Sequence, residues 1–260
     1  MKHFIIAVVV IIMVSCSRTS EKTEYNTDGT VKKKTIYTSS DKSAYREVEY
    51  YDGKRLKSVH EFVDGILHGR NFNYYPGGGI QSVFYYDMGR LTSIAQYYNP
   101  QGKLTDKGLF INDSLVVKEE YYYKDDMTMV NVFSRNDNDF NETGSLLSNN
   151  LGLFGMDNSH YYIVSSMDSI PADDSIKVDV IFISRNDKPS SMVLTLGLLN
   201  ENLQFLSKER TYMSDSMAIS FYYKPRNMGY NLILGKILHI KHDIKDQVNE
   251  FIFYHDFLAY

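Results

Sequence analysis

Few side chains in this sequence stand at spacings that could support chemistry. Asp137-Asn138-Asp139-Phe140-Asn141 offers oxygen ligands at alternate positions, as a calcium loop does. Such a loop needs glycine at its sixth position and a bidentate Glu at its twelfth, and Glu142 and Ser148 stand there instead, so the stretch reads as a solvated linker. His239 and His242 have a superficial metal spacing, but residues three apart on a strand point to opposite faces, which reads as two surface or edge histidines. In FVDGILHGRNFNYYPGG (62–78), Gly65, Gly69, Gly77 and Gly78 crowd together. Without a following Lys-Ser/Thr and a helix N-terminus they do not form a phosphate cradle and are read as turn glycines. The sequence contains neither GxSxG nor HExxH. The expectation is a non-enzyme with no metal and no cofactor; an unrecognised hydrolase would need a concave pocket with converging titratable groups.

Cys16 is the only cysteine, so an intrachain disulfide and a cysteine metal cage are both impossible. It follows a basic start, Lys2 and His3, and an apolar run from Phe4 to Val14. That run spans 11 residues, which suits the core of an export signal and falls short of the roughly 18 needed to cross a bilayer. Met13-Val14-Ser15-Cys16 resembles the lipobox of bacterial lipoproteins, with Met13 in place of the usual Leu. The resemblance implies cleavage before Cys16, a diacylglycerol on its sulfur and often acylation of the new amine. Palmitate-like chains would each contribute about 0.8 kcal/mol per buried methylene, and two or more give stable anchoring. The implied partner is a membrane and the implied place the bacterial cell envelope, at the outer membrane. An ordinary signal peptide cut near Ser15, leaving a free thiol, is the alternative. The formal charge of −4 becomes one unit more negative when Lys2 leaves with the signal, and such a chain without a basic stripe is a poor nucleic-acid binder.

The elements that must position any site are strands. Hydrophobic residues at 43% and charged residues at 23% indicate a folded chain, and 22 Tyr and 14 Phe with no Trp favour sheets with aromatic faces. Tyr25, Tyr51, Tyr75, Tyr98 and Tyr122 recur about every two dozen residues, a repeat-architecture period. Gly29, Gly53, Gly78 and Gly102 follow the first four, then Val31, Leu56, Ile80 and Leu104; a second aromatic stands midway, at Tyr37, Phe62, Tyr86 and Phe110. This is strand, turn, strand, with stacking of successive hairpins into one sheet. Phe62-Val-Asp-Gly65 with His68-Gly69, Tyr74-Tyr75-Pro-Gly-Gly78, and Tyr97-Tyr98-Asn-Pro-Gln-Gly102-Lys-Leu104 resemble MORN repeats, in the short bacterial variant that often carries an antitoxin label. The resemblance covers about 100 residues. It implies protein or lipid contact and no reaction.

Ser134 to Gly152 is crowded with Asn, Asp, Ser and Gly and reads as a linker. Seven β-like runs follow, near 160–166, 174–184, 191–199, 203–213, 216–224, 230–241 and 249–258, which predicts an immunoglobulin-like antiparallel sandwich. Gly229-Tyr230-Asn231-Leu232 looks like a tyrosine corner of such domains. The expected organisation is all-β: signal peptide 1–15, tether 16–24, an elongated antiparallel sheet of MORN-like hairpins over 25–133, linker 134–152 and sandwich 153–260.

For function, Tyr51, Tyr75, Tyr86, Tyr98 and Tyr122 are the candidate binding ladder, flat contact area for a glycan or a partner protein. The competing reading is that these rings hold the sheet together. The expectation is a lipid-anchored envelope protein that binds a protein or glycan through its repeat sheet or sandwich. A second expectation, from the antitoxin label, is an immunity-like protein that neutralises a toxin.

Overall fold

A computed structural model describes residues 20–260 apart from 53, 125–126, 137–138, 150–151, 156–159, 166–168, 184–189, 217 and 243–246. Among the described residues there is no helix. The repeat region contains β1 (Glu21–Tyr25), β2 (Val31–Tyr37), β3 (Ala44–Tyr50), β4 (Leu56–Val63), β5 (Ile66–Leu67), β6 (Gly69–Tyr74), β7 (Ile80–Asp87), β8 (Arg90–Leu91), β9 (Ser93–Tyr98), β10 (Leu104–Ile111) and β11 (Ser114–Lys124). It continues into β12 (Met127–Asn136), β13 (Asp139–Asn149) and β14 (Gly152–Gly155). These form one 14-stranded antiparallel sheet in chain order, with the two-residue β5 and β8 as side pieces.

The period has a physical basis at each edge. At one edge, the amides of Asn26, Tyr51, Tyr75 and Asn99 bond the carbonyls of Thr30, Arg55, Gly79 and Lys103, each four residues on. Gly29, Gly78 and Gly102 hold φ of 83°, 100° and 77° in these turns, a conformation that a side chain would strain. At the other edge, Asp64-Gly65, Met88-Gly89 and Asn112-Asp113 are two-residue turns with both φ positive, the geometry that matches the twist of a hairpin. Each of these turns is tied to the previous one: Asp64 N donates to Ser43 O, Gly89 N to Leu67 O, and Asp113 N to Leu91 O.

Two expected boundaries are corrected. The stretch 134–152 is strand for most of its length, because β12, β13 and β14 extend the sheet through it; its Asn, Asp and Ser serve ladder positions as readily as loop positions when the flanking Val and Phe residues can pair. Residues 21–24, expected as the end of the tether, belong to β1 and pair with β2.

The C-terminal region contains β15 (His160–Ser165), β16 (Ser169–Ile170), β17 (Ile176–Ile183), β18 (Ser190–Leu199), β19 (Phe205–Ser214), β20 (Ala218–Tyr223), β21 (Gly229–Lys241) and β22 (Gln247–Ala259). All seven expected strands are present, with β16 as an extra short one. A three-stranded sheet, β15-β17-β20, faces a five-stranded one, β16-β22-β21-β18-β19. This is an immunoglobulin-like sandwich in which β19 joins the β18-β21-β22 side. Its core alternates by period two: Ile176, Val178, Val180 and Phe182 meet Met192, Leu194, Ile233, Ile237 and Phe253.

The sandwich does not stand apart. The outer face of its five-stranded sheet carries Leu199, Phe205, Leu232, Leu234, Ile252 and Tyr254, which pack on Ile94, Leu109, Ile111, Val116, Val117 and Val132 of the repeat sheet. Three layers result, and the middle sheet is apolar on both faces, which is why FIFY at 251–254 is buried throughout. Successive contacts step along the repeat strands: Tyr230 meets β7 and β9, Asp256 meets β10, and Tyr254 meets β11. The two sets of strands therefore cross steeply. No residue of β1–β6 belongs to either core cluster.

Candidate functional site

Register decides where the five candidate tyrosines lie, since cross-strand partners share a face. Tyr51 and Tyr75 stand at the edge turns, where their hydroxyls donate to the carbonyls of Tyr74 (2.8 Å) and Tyr98 (2.7 Å). Each fastens one turn to the next repeat. Tyr98 lies on the face toward the sandwich and donates to Gln96 Oε1 at 3.2 Å. Tyr86 and Tyr122 lie on the opposite, open face; Tyr122 is 48% exposed and donates to Glu120 Oε2. No two of these five rings are in contact. Equivalent positions of successive hairpins are two strands apart, roughly 9.5 Å, beyond the ~4.5–7 Å of an aromatic pair. The five residues therefore occupy three places and form no single ladder.

Ring contacts on the open face come from the midway aromatics and their neighbours. Tyr45 stacks on Phe62 at 5.0 Å with 11° between planes and touches Tyr37 at 5.9 Å. Phe84 meets Tyr86 at 6.4 Å and the edge of Tyr97 at 5.5 Å. The period announces Tyr37, Phe62 and Tyr86; Tyr45, Phe84 and Tyr97 are out of phase with it and emerge only from the register. Beneath this surface the sheet is polar. The chain kinks at Gly69, whose φ of 79° opens a gap in the β4–β6 ladder. Asn71, buried there, closes the gap by accepting from Glu61 N (3.1 Å) and donating to Gly69 O (3.0 Å). A Cβ at Gly69 would collide with Glu61 Oε2.

A second region with converging groups lies where the repeat sheet meets the sandwich. Tyr230, expected to form a tyrosine corner, instead leaves its own domain: its ring stacks on Tyr85 at 5.2 Å and its hydroxyl accepts from Ser93 Oγ at 3.1 Å. The reason is its outward position on β21, facing the repeat sheet. Burial, and next Asp256, push its phenol well above the usual tyrosine range. Ser93 holds φ at 64°, a strained value for a non-glycine residue, at the kink equivalent to Gly69 one repeat earlier. Arg70 lies over the rings of Phe72 (5.2 Å) and Tyr230 (5.9 Å). Asp256 pairs with Lys107 at 3.7 Å, and Lys107 sits over the Tyr254 ring. Glu119 accepts from both Tyr121 and Tyr254, and burial followed by the Glu119 charge raises the Tyr121 phenol. The cleft lined by Arg70, Tyr85, Gln96, Tyr230 and Asp256 has room for about one water molecule. It is far too small to enclose a small molecule or a cofactor, so anything bound here would meet the groups at its rim.

Sequence reasoning missed Arg70, Lys107, Glu119 and Asp256, because nothing in a single sequence says that strands so far apart will cross. His239 is corrected from surface to core. It is 1% exposed on the inner face of β21, packed against Phe182 at 4.1 Å, with neither ring nitrogen hydrogen-bonded. Burial, then Lys241, lowers its pKa. His242 is exposed at the strand end. Cys16 and the start of the calcium-like stretch, Asp137-Asn138, lie outside the described residues. Among the described residues no three His, Cys, Asp or Glu side chains group as a metal site would require.

The architecture defines the chain as an all-β protein of a hairpin-repeat sheet and an immunoglobulin-like sandwich. No protein-family profile matches it, and no curated protein matches its sequence.

Proposed function

We propose that this is a lipid-anchored protein of the bacterial cell envelope that works as a non-catalytic binding module, held at a membrane by acylated Cys16. Its contact surface is the part of the repeat sheet that the sandwich leaves open. The observation that carries this reading is the uneven cover: the sandwich packs on β7 and β9–β12 and reaches β6 through Tyr230 on Arg70, while among the described residues no residue of β2–β5 belongs to either core cluster. The open face there presents Tyr37, Tyr45 and Phe62 as joined rings, large contact area at low entropic cost. The lipobox-like Met13-Val14-Ser15-Cys16 supports the anchor.

The anchor is tested by fractionating cells that express Cys16→Ala. The variant should leave the membrane fraction or accumulate as a precursor, and unchanged membrane association would sink the lipoprotein reading. The contact surface is tested separately with Tyr45→Ala/Phe62→Ala, which should abolish capture of the envelope partner while the anchored chain remains in place.

A further inference from the structure

Among the described residues Arg70 is the cation that lies over two aromatic rings. Three other basic side chains on the same face are matched by carboxylates: Arg46 bonds Glu61 at 2.6 Å, Lys34 bonds Glu21 at 2.8 Å, and Lys107 faces Asp256. Arg70 is half-buried and, among the described residues, makes no ion pair and no side-chain hydrogen bond, although Glu61 is its cross-strand neighbour, because Arg46 already holds that carboxylate. Its guanidinium lies against two aromatic rings, Phe72 and Tyr230, an arrangement that fixes the plane and leaves the five donors at its rim free. A cation that is oriented, partly desolvated and unmatched is poised for an anion.

The surroundings narrow the choice of anion. Arg70 stands at the inside corner where the uncovered half of the repeat sheet meets the end of the sandwich. Leu258 pairs with Tyr230 across β21 and β22, and the chain end and the adjoining loop carry Tyr260 and Met228; the three are 38%, 68% and 75% exposed. The loop bearing Met228 is held firmly. Buried Asn231 accepts from the amides of Arg226 and Asn227 and donates to the carbonyls of Asn227 and Gly229. Met228 lies two residues before Tyr230, the ring that Arg70 overlies, so this ordered loop adds an exposed apolar side chain near one strong positive donor set.

We propose that this corner receives a carboxylate-bearing segment of a partner protein, with an Asp, Glu or chain-terminal carboxylate on Arg70 and apolar side chains on Leu258, Met228 and Tyr260. The inference deepens the binding-module reading and rests on it. An acidic sugar would bring the same carboxylate, but the cleft is smaller than a small-molecule pocket, and the lip offers little to bond sugar hydroxyls.

The test uses the full chain in detergent on an array of short immobilised peptides matched in apolar content, in which Asp and Glu are replaced by Asn and Gln in the paired members. Retention on the acidic members should exceed that on the neutral ones roughly tenfold and fall as salt rises. Arg70→Gln should erase the preference, Arg70→Lys should keep only part of it because the forked donors are lost, and Lys236→Gln, far from the corner, should leave it intact. Thermal melts of the variants report whether folding is retained. Equal retention on acidic and neutral peptides, or a preference that survives in folded Arg70→Gln, overturns the proposal. Preferential binding of oligogalacturonate over every peptide overturns the choice of a protein partner. The Cys16→Ala fractionation is independent of these readouts, so failure of the anchor and failure of this site can be told apart.

Discussion

The two halves of the repeat sheet share turns, period and aromatic content, yet they are stabilised differently. In β9–β12 the face toward the sandwich carries an aliphatic patch, and Ile94, Leu109, Val116 and Val117 are buried under a second sheet. In β2–β6 the buried positions are largely Thr35, Ser58 and Asn71, with Val48 the one apolar residue among them. There, order comes from within the layer: turn-to-turn hydrogen bonds, tyrosine hydroxyls on neighbouring carbonyls, ion pairs such as Lys33–Glu47 at 2.9 Å, and stacked rings. A hairpin repeat can thus persist as a single layer where local bonds fasten each unit to the next. The same unit becomes a scaffold wherever another sheet covers it.

Substitutions that remove apolar volume should separate the halves most strongly. Leu109→Ala opens a cavity between sheets and should cost about 2–5 kcal/mol in chemical denaturation. Val59→Ala, on the same face but beyond the sandwich, should cost about 1 kcal/mol. Equal losses would mean that the uncovered half has a cover of its own.

At the junction, Glu119→Ala leaves the Tyr121 and Tyr254 hydroxyls without their shared acceptor and should cost about 1–3 kcal/mol. The loss should appear in the melting of sandwich and repeat together. If the sandwich melts unchanged, the junction contributes nothing to its stability.

A smaller effect belongs to the edge. Tyr75→Phe removes one inter-repeat hydrogen bond, worth about 0.5–1.5 kcal/mol, and should speed amide exchange in the turns at 75–79 and 99–103. Unaltered exchange would show that the hydroxyl is not a fastening.

The sandwich interior gives a pH test with a definite sign. His239 is held neutral because burial, and then Lys241, lower its folded-state pKa below 6.5. The unfolded chain binds the proton first as pH falls, so stability is level above about 6.5 and declines below it. His239→Leu should flatten that acid limb in pH-dependent melts, and an unchanged limb would assign it to other groups.

How much of this was legible beforehand differs by level. The strands of both regions could be read because period-two runs such as IKVDVIFIS and turn glycines such as Gly78 and Gly102 act locally. The linker reading failed since composition at 134–152 signals turns, whereas pairing with β12 is decided by a neighbouring strand. The tyrosines were visible as a period, but whether Tyr75 bonds a carbonyl or Tyr98 turns inward depends on register. Arg70 gave no signal at all: its meaning comes from Tyr230, which the crossing of two sheets brings over it. Sequence patterns show what each strand buries, and only packing shows what is left unmatched.

The central claim is that cover divides the repeat sheet into scaffold and contact surface. Hydrogen-exchange footprinting of the full chain with and without envelope extract tests it most directly. New protection should be confined to β2–β6 and the corner around Arg70 and Met228, with β9–β12 unchanged because they are protected in the free protein. Protection confined to the sandwich, with β2–β6 unaffected, would contradict it.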